Sequence, residues 1–283
     1  MNCCTCSAVV LKSEVIINKM CASASFKLKW RSYLSSNLTK SDDILRREPA
    51  FCQPWNYHDE YREACHETIR KNRVRIVIHL GSGRDKENIF HRNGFPIDGS
   101  LTIVGVDRDL ESLKDYPGKL KVLADLEHLP FHSEIFGLGA SEEVFEHIAH
   151  PYIVAHEISR VLVPGGVLQF CTPSKYSYVS ILAMITPLRL HRLIQVAMNP
   201  GEYRQTDVFP KYYRLNSRHD IDLCFTRAGL KCLRLFYWDG GPWMLRFHPV
   251  LVRLGVVYHR ILRRFRSLSF LSNAIVGAYK KSP

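Results

Sequence analysis

No acidic residue follows Asp239, although Arg246, Arg253, Arg260, Arg263, Arg264, Arg266, Lys280 and Lys281 all do. Acid is scarce at the other end too, where Glu14 stands alone before Ser41. The 283-residue chain carries a formal charge of +12, and much of the imbalance collects at its two ends. A basic tail suits a nucleic acid, an anionic membrane surface or an acidic substrate, against the plain alternative of a solvated face. No apolar run reaches the length of a spanning helix. There is no internal repeat and no low-complexity run. Cysteine offers no paired framework: the nine residues are odd in number and mostly stand singly in apolar or helical contexts. That argues against a disulfide scaffold and for reduced, buried thiols in a cytoplasmic protein. Cys3, Cys4 and Cys6 cluster, but no second Cys/His pair follows at finger spacing, so no metal is expected.

What the sequence does contain is a pattern centred on Val74 to Lys86, VRIVIHLGSGRDK. A β-branched apolar run stops at Gly81-Ser82-Gly83, and helix-compatible residues follow. The pattern predicts a buried strand, a tight glycine turn and a helix start. From there strands are expected at 74–80, 101–106, 120–124, 135–140, 166–172, 231–238 and 274–280. Helices are expected at 57–72, 85–93, 108–114, 142–161 with a break near Pro151, and 217–229. This alternation predicts an α/β doubly wound, mostly parallel sheet. Residues 1–55 read as a poorly structured extension, with Ser41-Asp42-Asp43 capping a short helix at 44–47. The rest, 56–283, reads as one domain with a helical lid insertion at 173–214 and a basic amphipathic insertion at 239–269. In the second insertion, Val250, Leu254, Val257, Tyr258, Ile261 and Phe265 share one helix face and four arginines the other.

Three features fall at the ends of three successive strands. Gly81 and Gly83 let a ligand approach the backbone closely. Asp107 closes the strand LTIVGVD and can accept from both hydroxyls of a ribose. Asp125, in Ala124 to Phe131, can accept from an exocyclic amine. Together they describe a nucleoside site. A dinucleotide fingerprint needs a third glycine where Lys86 stands, which disfavours nicotinamide and flavin.

With these residues the chain resembles class I S-adenosylmethionine-dependent methyltransferases, above all the small-molecule branch related to ubiquinone and menaquinone methyltransferases. The segments IVIHLGSGRD, ADLEHLPF, SEEVFEHIAHP and EISRVLVPGG resemble that family's motifs in order, the last with the highest specificity, and Arg227-Ala228-Gly229-Leu230 resembles its late turn. The resemblance implies a seven-stranded sheet with an antiparallel last strand. It also implies that Gly81, Ser82 and Gly83 line the methionine part of S-adenosylmethionine. Asp107 and Arg108 would lie at the ribose, Asp125 and Leu126 at the adenine, and Ser141 and Glu142 beside the sulfonium. His79, Asp85 and Gly137 depart from the family's usual residues.

In-line displacement on a small-molecule methyl acceptor, lipid-like, quinone-like or sugar-related, is the expected activity. His147, beside Glu146, is the candidate base, with His128 behind it. The aromatics of 203–213 suit stacking on a sugar ring. A competing expectation is a non-catalytic scaffold on the same fold. Nucleic acid is disfavoured, because no Asn/Asp-Pro-Pro-Tyr/Phe tetrad occurs. Residues 248–266 suggest peripheral contact with anionic membrane.

Overall fold

The computed structural model describes residues 24–47, 57–83, 90, 101–186 and 209–283. The cysteine cluster, all of the helix expected at 85–93 except Phe90, and residues 187–208 of the lid insertion lie outside the described residues. The chain divides into two compact units, Met1–Gln53 with Pro242–Val257 and Pro54–Gly241 with Tyr258–Pro283.

In the first unit a helix, α1, spans Ala24–Arg46. The expected cap at Ser41 is therefore not a helix start: Ser41 lies inside α1 and is fully buried. Leu45 packs with Val252 and Val256, and Ile44, Trp243 and Leu245 close around them.

The second unit is built on a seven-stranded sheet. Helix α2 (Tyr57–Asn72) precedes β1 (Ile76–Leu80) and β2 (Thr102–Asp107). Then come α3 (Leu110–Asp115), β3 (Leu120–Leu123), β4 (Phe136–Glu142), α4 (Pro151–Val161) and β5 (Leu162–Pro173). The chain closes with α5 (Tyr178–Ile185), α6 (Arg218–Arg227), β6 (Leu230–Trp238), α7 (Pro249–Arg264), which begins in the first unit, and β7 (Ala274–Lys281). The strand order is β3-β2-β1-β4-β5-β7-β6. β7 is antiparallel to both its neighbours, and the other recorded pairings are parallel. This is the doubly wound, Rossmann-like sheet the alternation predicts, with the antiparallel last strand.

Apolar residues cover both sheet faces, as a parallel sheet requires. On one face Tyr61 and Cys65 of α2 pack with Val77, Leu138, Val167 and Val276. On the other, Val154 and Ile158 of α4 and Ile221 and Phe225 of α6 pack with Ile78, Val106, Leu168 and Phe170.

Two boundaries differ from expectation. β5 begins at Leu162, not 166, because Leu162 pairs with Phe136 before the chain bulges through Pro164-Gly165-Gly166 and resumes at Val167 opposite Leu138. A Cβ on Gly166 would stand 2.8 Å from the Val163 carbonyl oxygen, so the bulge needs glycine. The helix expected from 142 does not begin there. β4 runs to Glu142, Glu143 takes φ 53° and donates its N–H to Cys171 O (3.0 Å), and a 3-10 turn follows at Phe145–His147. Helix starts only at Pro151, where proline's fixed φ suits a first turn.

Candidate active site

Three loops leave the carboxyl ends of β1, β2 and β3, and backbone bonds tie them together. Gly81 and Gly83 have φ of 65° and 54°. A Cβ on Gly81 would lie 2.3 Å from Val144 Cγ2, so this position needs glycine for conformation and for space. Ser82 N donates to Val106 O (2.9 Å), and Gly83 N donates to Asp107 Oδ2 (2.7 Å). Asp107 Oδ1 accepts from Asp109 N (2.8 Å). Burial pushes the Asp107 carboxyl above the usual range, and the backbone N–H groups around it pull the other way. Asp107 thus fastens the glycine turn to β2 through backbone N–H groups of Gly83, Arg108 and Asp109.

Ala124 N extends the ladder to Asp107 O (3.0 Å), which brings Asp125 beside the other two loops. Asp125 is exposed, and its Oδ1 accepts from Glu127 N (3.0 Å); Leu126 beside it is buried. This loop is anchored from α4. Arg160 donates to Phe131 O (2.7 Å), Leu129 O (3.0 Å) and both oxygens of Glu157, whose Oε2 also accepts from Leu129 N (2.8 Å).

The turn after β4 supplies a fourth wall. Glu146 is almost fully buried. Its backbone oxygen accepts from Tyr212 N (2.7 Å) and Tyr213 N (3.2 Å). Thr172 Oγ1 donates to Glu146 Oε2 at 3.4 Å, and Asn216 Nδ2 donates to that hydroxyl oxygen (2.7 Å). Burial pushes the Glu146 carboxyl up to about 7, helped by the negative charge of Glu143. His147 Nδ1 lies 2.8 Å from Pro210 O. A carbonyl can only accept, so Nδ1 carries the proton of the neutral ring and Nε2 keeps its lone pair, 3.7 Å from Glu146 Oε1. Burial lowers the imidazole to about 4, and the cations Lys211 and Arg108 press the same way. The Phe209 ring stands edge-on to His147 and carries the Arg108 guanidinium 5.1 Å from its centre.

These walls enclose a cleft of about 340 Å³. Among the expected site residues, Gly81, Gly83, Asp107, Arg108, Asp125, Leu126 and His147 line it. Ser82, Ser141 and Glu142 do not. Ser82 and Ser141 are buried at the ends of β1 and β4, each with a hydroxyl that has no hydrogen-bond partner among the described residues, and Glu142 ends β4. His128 is exposed and outside the lining. His79 is buried edge-on to Phe90 and near Tyr116, both ring centres at 5.8 Å. Glu146 and Lys211 are lining residues the sequence reading did not single out. The shifted carboxyl of Glu146 depends on depth, for which adjacency to His147 gives no signal.

Part of the chain is similar to a known family. The match to the family described as a methyltransferase domain covers residues 80–170, which include every expected cofactor-site residue and His147. No curated relative matches the chain. Similar solved structures include the YcgJ protein of Bacillus subtilis, at 14% identity and TM-score 0.49, covering 80% of this chain and 100% of that one. The cyclase SpnF aligns at 13% identity and TM-score 0.49, over 83% and 85% of the two chains. A SAM-dependent methyltransferase from Archaeoglobus fulgidus aligns at 15% and 0.44, over 78% and 94%. At these identities and scores the likeness carries no argument about function. Among the described residues no His, Cys, Asp and Glu side chains group to hold a metal ion. No described helix is long and apolar enough to cross a membrane.

Proposed function

We propose that the protein binds S-adenosylmethionine in this cleft and methylates a small-molecule acceptor by in-line displacement. The observation that carries the reading is the charge of the lining. In a chain of net charge +12, the described residues lining the cleft include five carboxyl groups (Asp107, Asp125, Glu127, Glu143, Glu146) and two permanent cations, Arg108 and Lys211. Such a surplus favours a cationic ligand, and a sulfonium is one. The donor and acceptor chemistry fits as well. Asp107 can still accept from a hydroxyl, Asp125 Oδ2 can accept from an amine, and Leu126 offers an apolar edge to a ring. The size lies within the range of small-molecule sites.

When bound, the cofactor supplies an already activated methyl group. The protein's own residues then align the acceptor, exclude water and take up a proton. An O–H or N–H acceptor loses one proton on methylation. His147 Nε2, unprotonated throughout the physiological range, receives it. Glu146, ionising near neutral pH, stabilises the imidazolium. Phe209, Tyr212, Val144 and Ile148 beside Arg108 and Lys211 suit a ring-bearing or amphiphilic acceptor with some negative charge. Lipid-like, quinone-like and sugar-related acceptors all meet that description.

Calorimetric titration with S-adenosylmethionine tests the reading. The wild type should bind, and Asp107→Ala should bind at least about tenfold more weakly. Asp125→Ala, whose side chain makes only a local bond, gives a second variant that folds whether or not Asp107→Ala does. A folded wild type that binds no S-adenosylmethionine would overturn the proposal and favour a scaffold on the same fold.

A further inference from the structure

Helix α7 turns outward the apolar face that the sequence pattern groups on one side of it. On its inner side Val252, Gly255, Val256, His259 and Leu262 are buried. Val250, Leu254, Val257, Ile261 and the following Phe265 are each 45–62% exposed. Their spacing of four, three, four and four residues keeps them on one stripe along the helix. The burial of the opposite face has clear causes. A Cβ on Gly255 would lie 2.4 Å from Pro242 Cβ, so this turn needs glycine. His259 Nδ1 hydrogen-bonds Asp239, and Arg263 Nε donates to the same carboxylate (2.8 Å). Asp239 is the last acid of the chain, and it is thus committed to the inner side of α7.

Arginines flank the exposed stripe. Arg253, Arg260 and Arg264 lie next to it on the helical wheel and are exposed, and Arg266 follows. The sequence after Asp239 contains no acid. A second exposed apolar group starts nearby: the ring of Tyr178, which opens α5, meets that of Tyr258 at 5.7 Å, and α5 exposes Ile181, Leu182, Met184 and Ile185.

We propose that the outer face of α7 seats on an anionic lipid surface, with the apolar stripe in the acyl boundary and Arg253, Arg264 and Arg266 at the headgroups. The commitment to lipid rests on charge complementarity. An apolar stripe bordered by arginine, with no acid, repels a second copy of itself and matches a surface whose charge is negative and whose interior is apolar. The inference is independent of the cofactor reading, because attachment is measured without S-adenosylmethionine.

The test is co-sedimentation of the full chain with vesicles of phosphatidylcholine, alone or mixed with phosphatidylglycerol. The wild type should sediment with the mixed vesicles, not with the neutral ones, and lose binding as salt rises. Leu254→Ser with Ile261→Ser should abolish sedimentation. Arg253→Gln, Arg264→Gln and Arg266→Gln together should weaken it by about fivefold per charge. These side chains are exposed, so the variants should melt as the wild type does. Equal recovery with both vesicle types, or binding unchanged in both variants, would overturn the proposal. So would a wild type that ignores vesicles and forms a dimer in light scattering that Leu254→Ser with Ile261→Ser dissociates.

Discussion

Two acid–base pairs, one in the wall of the cleft and one outside its lining on the Leu129–Phe131 backbone, are built in opposite ways. Glu157 and Arg160 are three residues apart on α4, in contact at 2.7 Å, and Arg160 also reaches two backbone oxygens. Hydrogen bonding to Arg160 pulls the Glu157 carboxyl below the usual range. Both groups are held in their charged forms, with hydrogen bonds to each other and to the Leu129–Phe131 backbone. Glu146 and His147 are adjacent, yet their side chains approach only to 3.7 Å. Burial drives each toward its neutral form, the acid up to about 7 and the imidazole down to about 4. A saturated charged pair is a fastening; a buried, loosely coupled pair with shifted pKa values is equipped to exchange a proton. Two similar sequence pairings are thus separated by depth and by how many bonds each already makes.

The comparison breaks most sharply on activity. His147→Ala should lower methyl transfer by about 10²-fold or more, while its melting temperature stays near that of the wild type. Tritiated S-adenosylmethionine with a panel of phenolic, carboxylate and sugar acceptors reads this. Arg160→Ala should do the reverse. It removes bonds to Leu129 O, Phe131 O and Glu157, at a cost of about 3 kcal/mol from the range for charged hydrogen bonds. Denaturant unfolding should register that loss. The surviving folded fraction should keep its turnover number but bind S-adenosylmethionine more weakly, because the loop carrying Asp125 and Leu126 has lost its anchor.

Much of this was legible in the chain. The strand–helix alternation is written in apolar periodicity, which burial on both sheet faces enforces, so the sheet and its glycine turn could be read directly. The site residues at strand ends were legible for the same reason: register alone brings Asp107 and Asp125 to one edge. EISRVLVPGG, the most specific segment of the sequence, holds a fastening and a glycine bulge, not chemistry. What could not be read depends on three dimensions. Glu143 sits at positive φ because its N–H reaches Cys171 O across the sheet, which turned an expected helix into strand and 3-10 turn. Helix α7 is apolar on two faces, and sequence periodicity cannot choose between them; Gly255 against Pro242 and His259 on Asp239 make the choice.

Titration sharpens the contrast in sign. Glu146 has a folded pKa near 7, above its unfolded value near 4.5, so its ionisation opposes folding. Its contribution is fully present below about pH 4.5 and is lost as pH rises through about 7. The melting temperature of the wild type should therefore fall, relative to Glu146→Gln, between about pH 5 and pH 8. A parallel pair of curves would show that the buried carboxyl does not titrate in that window.

The smallest effect is the mirror image. Glu157 has a folded pKa below its unfolded value, so its stabilisation is present above that unfolded value and disappears as pH falls through the folded one. Glu157→Gln keeps an acceptor for Arg160 but gives up the charge, and at neutral pH it should lose about 1 kcal/mol. That deficit should shrink toward zero in acid, where the wild-type carboxyl also becomes neutral. For Glu146 the difference between wild type and amide opens toward alkaline pH; for Glu157 it closes toward acid. Melting curves of the two single variants across one pH series would therefore separate a proton-exchanging glutamate from a fastening one without an acceptor in hand. A Glu157→Gln deficit that stayed constant down to about pH 3 would mean that packing, and not the carboxylate's charge, holds the Leu129–Phe131 loop.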